Sequence, residues 1–537
     1  MNGKAVHRYL ACTAVFIVLA AGMAAGGIRS PGEAGTPDGD AVDMTTACRV
    51  AAGHLLRHDK TALTVDGVSP VEHEGQTVAY VAALHPQGYV AVSGHRSLPP
   101  VVAYSFTSPA WTGDGHPFME LLGADLSTRL HHLDRLQADV IEQRHADWDA
   151  AGGGAAAAAF QQWPPEGSTA TDGWVETTWS QEAPYNDCCP MDTELDERSV
   201  AGCPAVTMAQ ILNYHRTVGS ARFNDSDDYL HSYDGRRYTI DDDHATYAFP
   251  SFPELNDMLD AAASRFDQGG SLTEQDMAAL IFGCGVAAEQ VYTAEGSGTF
   301  GVEQADQAYQ RFGIPHELKK SGDVYSRLAM NMIHGLPAHL AVVNEDWTAG
   351  HNLVVDGYNT DHYFHLNYGW GGTYDGWYRL PEEMRLELTV LEGIVLDICY
   401  APRDADVYCP GSLHWADIEP GASVQDTLTV ANIGAANSSL RWQISGYPDW
   451  GTWTFEPSGG TVRAGDTTSV TVTVTAPERR LRNNTGHVKI VNADDPEDCS
   501  IVQVSLATPY VQQPWWLRLL TSLRQRLPWL QLHGIVA

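Results

Sequence analysis

A run of small residues, AGGGAAAAAF at 151–160, followed by QQWPPEGSTATDG, constrains the fold of this chain more than any other feature. A Gly/Ala tract followed by paired prolines breaks the composition of the chain and has no apolar face to bury. Residues 151–172 therefore read as an exposed, protease-sensitive linker. The block before it, 42–150, opens with TTACRVAAGHLLRHD, an amphipathic helix by its periodicity. VAYVAALHPQGYVAVSG follows as two β-rich runs about a His-Pro-Gln-Gly turn, and ADLSTRLHHLDRLQADVIEQRHADW reads as one long helix. The block after the linker, 173–402, mixes helices and strands. From 403 to 508 the pattern changes to alternating segments (DTLTVAN, LRWQISG, TSVTVTVTA, HVKIVNA) separated by turn residues, which predicts an all-β immunoglobulin-like sandwich. No repeat of solenoid period is present.

The ends set the compartment. Lys4, His7 and Arg8 precede the uncharged run YLACTAVFIVLAAGMAA and the small residues AAGG. This reads as a signal peptide over 1–27, preferred to an uncleaved anchor because of its small-residue end. A polar Gly/Pro-rich spacer over 28–41 follows, and the protein is expected to be secreted or displayed at the cell surface. At the other end, 509–537 is a basic amphipathic tail without an acidic residue. WWLRLLTSLRQRLPWL places Trp515, Leu519, Leu520, Leu523 and Leu527 at helical spacing, with Arg518, Arg524 and Arg526 as its charges. It is either an interfacial helix contacting an anionic membrane surface or a helix packed on its own domain. The chain as a whole is acidic: Lys+Arg 32 against Asp+Glu 67 gives a net charge of −35, which argues against nucleic acid as a partner.

The chemistry concentrates in 173–402. In RSVAGCPAVTMAQILNYH, Cys203 precedes Pro204, a residue favoured at the start of a helix. Cys203 is thus expected at a helix N-terminus, where N–H groups and the macrodipole favour a thiolate. A buried structural thiol is the alternative. A thiolate nucleophile needs a base. His351 opens the apolar strand NLVVDG, Asp356-Gly357 is read as the start of a turn, and YFHLNYG as the returning strand. Asn367 on that strand is placed to hold the imidazole and Trp370 to cover it, as in papain-like hydrolases that pair Cys with an oriented His. His362 and His365, in the same hairpin, read as packed or solvated. Gln181, in TTWSQEAPYNDCCP, offers an amide donor for an oxyanion, with the Cys203 N–H as the second.

Together WSQEAPYN, RSVAGCPAVTMAQILNYH, GHNLVVDG and HLNYGWGG resemble the streptopain family of papain-like cysteine peptidases, in order and at similar spacing. The resemblance covers about 174–400 and implies an α+β papain-like catalytic domain. HPQGYVAVSGHRSLPPVVAYSFTS looks like that family's pro-region, making 42–150 an α+β pro-domain that blocks the cleft until cleaved. It implies Cys203 as nucleophile, His351 as acid/base, Gln181 as oxyanion donor, and Asn367 and Trp370 in the motif supporting the histidine. Two departures stand out: Tyr368 where the family has its first Trp, and Pro204 after the nucleophile. Neither removes a reacting group.

The expectation is a secreted cysteine endopeptidase made as a zymogen, acting on proteins or peptides without cofactor or metal. The rivals are an amidase or acyltransferase on the same Cys–His pair, and an adhesin or binding protein whose papain-like block is inactive. After loss of Cys12 and Cys48, setting Cys203 aside leaves Cys188, Cys189, Cys284, Cys399, Cys409 and Cys499, an even number that fits disulfides, with Cys409–Cys499 the pairing guessed for the sandwich. The acidic runs lack EF-hand spacing, and Cys188-Cys189 lacks zinc-ligand partners. Asn224, Asn437 and Asn483 head glycosylation sequons. The loops NEDWTAG and YTAEGSGTF are expected to line the cleft.

Overall fold

The computed structural model describes residues 40–508 apart from 109–115, 134–135, 137, 152–159, 322–323, 344–349, 381–390, 401–403, 417 and 479–482. The signal, most of the spacer, part of the linker, the loop NEDWTA and the basic tail lie outside the described residues. The chain divides into two compact units, Met1–Arg403 and Asp404–Ala537.

The first unit is built on one long sheet. Its hydrogen-bonded order is Thr64–His73, Gln76–His85, Tyr89–Ser93, Val101–Ser105, Gly376–Tyr378, Phe364–Asn367, Gly350–Asn359, Ala338–Val343, Leu391–Leu396 and Glu317–Lys319. The first four strands come from the block before the linker and the rest from the block after it. They join where Trp377 pairs with Tyr104 and Tyr378 with Ala103. A shared core covers the junction: Leu55, Val90, Tyr104 and Trp148 pack with Tyr363 and Trp377. Burial of that apolar surface supplies most of the attraction between the two blocks. A buried polar clasp fixes their register. The Asp125 carboxylate accepts two bonds from Arg129, at 3.0 and 2.6 Å, and one from the Tyr378 hydroxyl.

Helices Cys203–Tyr214, Phe252–Asp267, Glu274–Ala287 and Val302–Arg311 carry a second core against Ala341, Val354 and Val395 of the sheet. The sequence PAVTMAQIL is buried without interruption from Pro204 to Leu212. The helix that starts at Cys203 is therefore held from all sides, and its N-terminus is fixed.

Three expectations are corrected. The long helix is two, Pro117–His131 and Ala138–Ala151, because the His132 N–H turns back to the Arg129 and Leu130 carbonyls and closes the first. The strand of His351 runs on through Asp356-Gly357 to Asn359. Asp356 is fully buried there, accepting the Val175 N–H at 2.9 Å, and at Gly357 a Cβ would lie 2.8 Å from that of His365. The turn comes later, where Asn359 Oδ1 accepts the N–H groups of Asp361 and Tyr363. Finally, no disulfide joins the eight described cysteines.

In the second unit, a four-stranded and a five-stranded sheet enclose one core containing Leu428, Val430, Val470 and Val472 from one and Leu440, Trp442, Ile490 and Val504 from the other. It is an all-β sandwich, and its strands Ser412–Trp415 and Cys499–Ala507 run parallel. The guessed Cys409–Cys499 bond fails for a geometric reason. Cys409 joins the core and donates its N–H to Ser500 Oγ at 3.0 Å. Strand alternation turns Cys499 to the face opposite Ser500.

Candidate active site

Cys203 is the first residue of its helix, and Gly202 caps it at φ +84° and ψ +132°. Only glycine adopts that backbone without strain. The space is closed as well, since a Cβ on Gly202 would lie 2.5 Å from Gln290 Oε1. The loop entering the helix is pinned from both sides. The Ala201 N–H donates to the Gln181 carbonyl at 2.9 Å, and the Ala201 carbonyl accepts from Gln290 Nε2 at 2.9 Å. Gln181, 7% exposed, thus lies alongside the approach to Cys203.

Across from it, the strand Gly350–Asn359 presents His351 and Asn352. The Asn352 N–H donates to Cys203 Sγ at 3.4 Å, and its amide Nδ2 lies 4.0 Å from the same sulfur. The fold therefore seats the sulfur against the residue that follows His351. The His351 ring is buried, with Nε2 donating to the Tyr368 carbonyl at 2.8 Å. It packs against Trp370 at 4.7 Å and Tyr368 at 6.2 Å between ring centroids. Burial lowers its pKa to about 4, against the opposing pull of that carbonyl, so the imidazole is neutral near pH 7.

Asn367 does not hold this imidazole by a hydrogen bond. Its Nδ2 donates to the Thr177 carbonyl at 2.7 Å, and its Oδ1 accepts from Gln210 Nε2 at 3.2 Å and the Gly369 N–H at 3.0 Å. Gln210, fully buried on the Cys203 helix, also accepts from Thr177 Oγ1 and the Trp179 N–H. It joins the segment of Gln181, the helix of Cys203 and the strand of Asn367. Trp370 does cover His351, and its loop is tied to the Gln181 segment by the Gly371 N–H on the Trp179 carbonyl. His365 lies away from the sulfur, buried on Asp356 at 2.6 Å. Burial opposes its charge, but Asp356 outweighs it and raises the pKa. His362 sits in the turn at φ +67°.

The sequence reading missed Gln210, Gln290, His339 and Asn352. A signal existed for Gln210, the one amide within the buried run from Pro204 to Leu212. None existed for Gln290, whose role depends on a contact with Gly202.

The loop from Tyr368 to Asp375 meets the N-terminal block directly. Phe118 stacks on Tyr374 at 4.2 Å and 9°. His116 touches Trp370 at 5.2 Å and Tyr374 at 4.7 Å, and the Tyr89 hydroxyl donates to the Tyr374 carbonyl at 2.8 Å. Asp375 accepts the Tyr368 N–H at 2.9 Å.

Residues 179–378 match the sequence model of the Peptidase C10 family. A streptopain of Streptococcus pyogenes serotype M28 is 23% identical over 319 residues, 56% of this chain and 73% of the relative, and another Streptococcus pyogenes streptopain is 22% identical over the same shares. Among solved structures, a fragment of Prevotella intermedia prointerpain A aligns with TM-score 0.37 and 19% identity over 62% of this chain and 98% of its own. Active Prevotella intermedia interpain A gives 0.31 and 24% over 42% and 92%. The matched segment contains Gln181, Cys203, His351, Asn367 and Trp370. The chain thus carries a Peptidase C10 segment over residues 179–378 and is a cysteine-type peptidase.

Proposed function

We propose that this peptidase is an exported endopeptidase made as a zymogen, with Cys203 as nucleophile and His351 as acid/base. The observation that carries the assignment is the seat of Cys203 Sγ, at a helix N-terminus and 3.4 Å from the backbone nitrogen next to His351. The helix terminus favours the thiolate. The thiol proton passes to His351, and the sulfur adds to the peptide carbonyl. The oxyanion is received by the Gln181 amide and the Cys203 N–H. Imidazolium His351 then protonates the leaving amine, and water hydrolyses the thioester. Trp370 shields the imidazole, while Asn367 acts one step back by joining its strand to the helix of Cys203 through Gln210.

Latency is ascribed to 42–150. His116, Phe118 and Tyr89 grip the loop of Tyr368, Trp370 and Tyr374, and that loop keeps the His351 Nε2 on a carbonyl. Cleavage in 151–172 and departure of the block would release the loop and free the ring. The second unit is read as an immunoglobulin-like accessory domain.

Cys203→Ala in the full chain is expected to abolish casein digestion and leave the proform uncleaved. Digestion at the wild-type rate by that variant would end the assignment.

A further inference from the structure

Beneath the reacting sulfur runs a chain of polar contacts that the peptidase reading leaves unused. His339 is fully buried on the strand next to that of His351. One ring nitrogen, Nε2, lies 2.7 Å from Asn352 Oδ1 and the other, Nδ1, 3.3 Å from the Tyr309 hydroxyl. Asn352 reaches on to Cys203 Sγ with its backbone N–H at 3.4 Å and its amide nitrogen at 4.0 Å.

The directions follow from the amide's placement, with Oδ1 toward His339 and Nδ2 toward the sulfur. Burial lowers the His339 pKa to about 4, although the Asn352 contact opposes this, so the ring is neutral near pH 7 and carries one N–H. A carboxamide oxygen only accepts, hence the proton sits on Nε2 and points at Oδ1. Nδ1 is then an acceptor, which the Tyr309 hydroxyl supplies. Burial raises the Tyr309 pKa and keeps that hydroxyl protonated. With its oxygen claimed by His339, the Asn352 amide must turn its nitrogen, a donor, toward the sulfur. The flipped amide would need the other His339 tautomer, with Nδ1–H donating to the Tyr309 oxygen, and would set a carbonyl oxygen against the thiolate, which repels it.

We infer that Asn352 is a further residue of the reacting centre, donating to the Cys203 thiolate, and that His339 is the positioning residue that keeps the donor end of its amide on the sulfur. The inference rests on Cys203 being the nucleophile. Donors aimed at an anion favour it over the neutral thiol, so the pair lowers the pH at which the sulfur becomes reactive. Asn352 also holds the sulfur toward the strand that carries His351.

The test is the pH dependence of Cys203 alkylation by iodoacetamide in the full-length chain, read as mass of the Cys203 peptide. Asn352→Ala should move the acid limb of the rate up by about half to one pH unit, the size of one lost hydrogen bond to sulfur. Asn352→Asp, which keeps the shape and so guards against misfolding, should move it further. His339→Leu should move it in the same direction, and His339→Leu with Asn352→Ala no further than Asn352→Ala alone. Coincident limbs in wild type, Asn352→Ala and Asn352→Asp would overturn the inference. A shift in the Asn352 variants with none in His339→Leu would remove His339 from it. A peptidase that stays active as Cys203→Ala would instead sink the nucleophile assignment, and the inference with it.

Discussion

The sulfur of Cys203 and the ring of His351 rest on supports of different origin. The contacts described around the sulfur come from within 173–400: Gln181 and Gln290 clamp Ala201, Gly202 fits against Gln290, and the helix is buried from Pro204 to Leu212. The ring is held otherwise. Its carbonyl partner and its aromatic cover belong to a loop that Tyr89, His116 and Phe118 grip from the other side of the linker. On the proposed reading, a nucleophile built into its own core needs no assistance to stay in place, whereas a base positioned through a borrowed contact can be switched by removing the lender. If the proposed reading holds, chemistry belongs to one half of the site and latency to the other, and variants on each half should separate the two.

The largest effect is expected on the cysteine half. Gly202→Ala combines a backbone that costs roughly 1–3 kcal/mol for a residue with a side chain and a contact 2.5 Å from Gln290 Oε1. Displacing the loop shifts both Cys203 Sγ and its N–H. The value of kcat/KM for a peptide should fall by about 100-fold or more, while latency of the proform is unchanged. A variant that retains wild-type kcat/KM would show that the loop tolerates displacement and that the clamp is not what fixes the sulfur.

On the histidine half, Phe118→Ala deletes the ring stacked on Tyr374. Truncating a buried Phe costs about 3–5 kcal/mol, here taken from the grip of the N-terminal block on the loop. The uncleaved variant should hydrolyse a small fluorogenic peptide faster than the uncleaved wild type and should mature sooner. If maturation removes 42–150 as proposed, the two matured enzymes are the same chain and their kcat/KM should agree. Equal latency in the two proforms would break the comparison, since the aromatic grip would then not govern the ring.

This asymmetry also explains what could be read from the sequence. Cys203, His351 and Asn367 lie in local patterns, a Cys-Pro helix start and two apolar strands, so their elements were legible. The sandwich was legible because alternation at period two survives in a solvated sheet. The contacts that orient the site were not. Asn367 turned out to serve Gln210 rather than His351, because which strand residue faces the ring depends on register, and the bulge between Val355 and Gly357 shifts it. The misplaced turn at Asp356-Gly357 has the same root. A polar-Gly pair reads as a turn until tertiary partners, here Val175 and His365, bury the carboxylate. Continuity of the sheet across the linker was invisible, since strand pairing at that distance leaves no periodic trace.

The smallest expected effect lies where the two halves meet, at Asp375. Burial raises its carboxyl from 3.8 to about 7, against the opposing pull of the Tyr368 N–H and His365. A raised acid pKa means that the folded state holds a proton that the unfolded state has released. Its contribution is complete below about pH 4 and is lost as pH rises through about 7. His351 and His116 have the opposite sign. Burial lowers each to about 4, so their contribution is complete above the ordinary histidine value and is lost as pH falls toward 4. In the wild-type proform the two trends partly cancel between pH 4 and 7. Asp375→Asn removes only the first, leaving the histidines in charge. In a Cys203→Ala background, which prevents self-cleavage, the denaturation midpoint of the Asp375→Asn proform should therefore climb more steeply from pH 4.5 to 7 than that of its parent. A gain on the order of 2 kcal/mol across the window is expected. Parallel curves would mean that the Asp375 carboxyl is already ionised in the folded proform, and that the loop over His351 carries no proton-linked balance of its own.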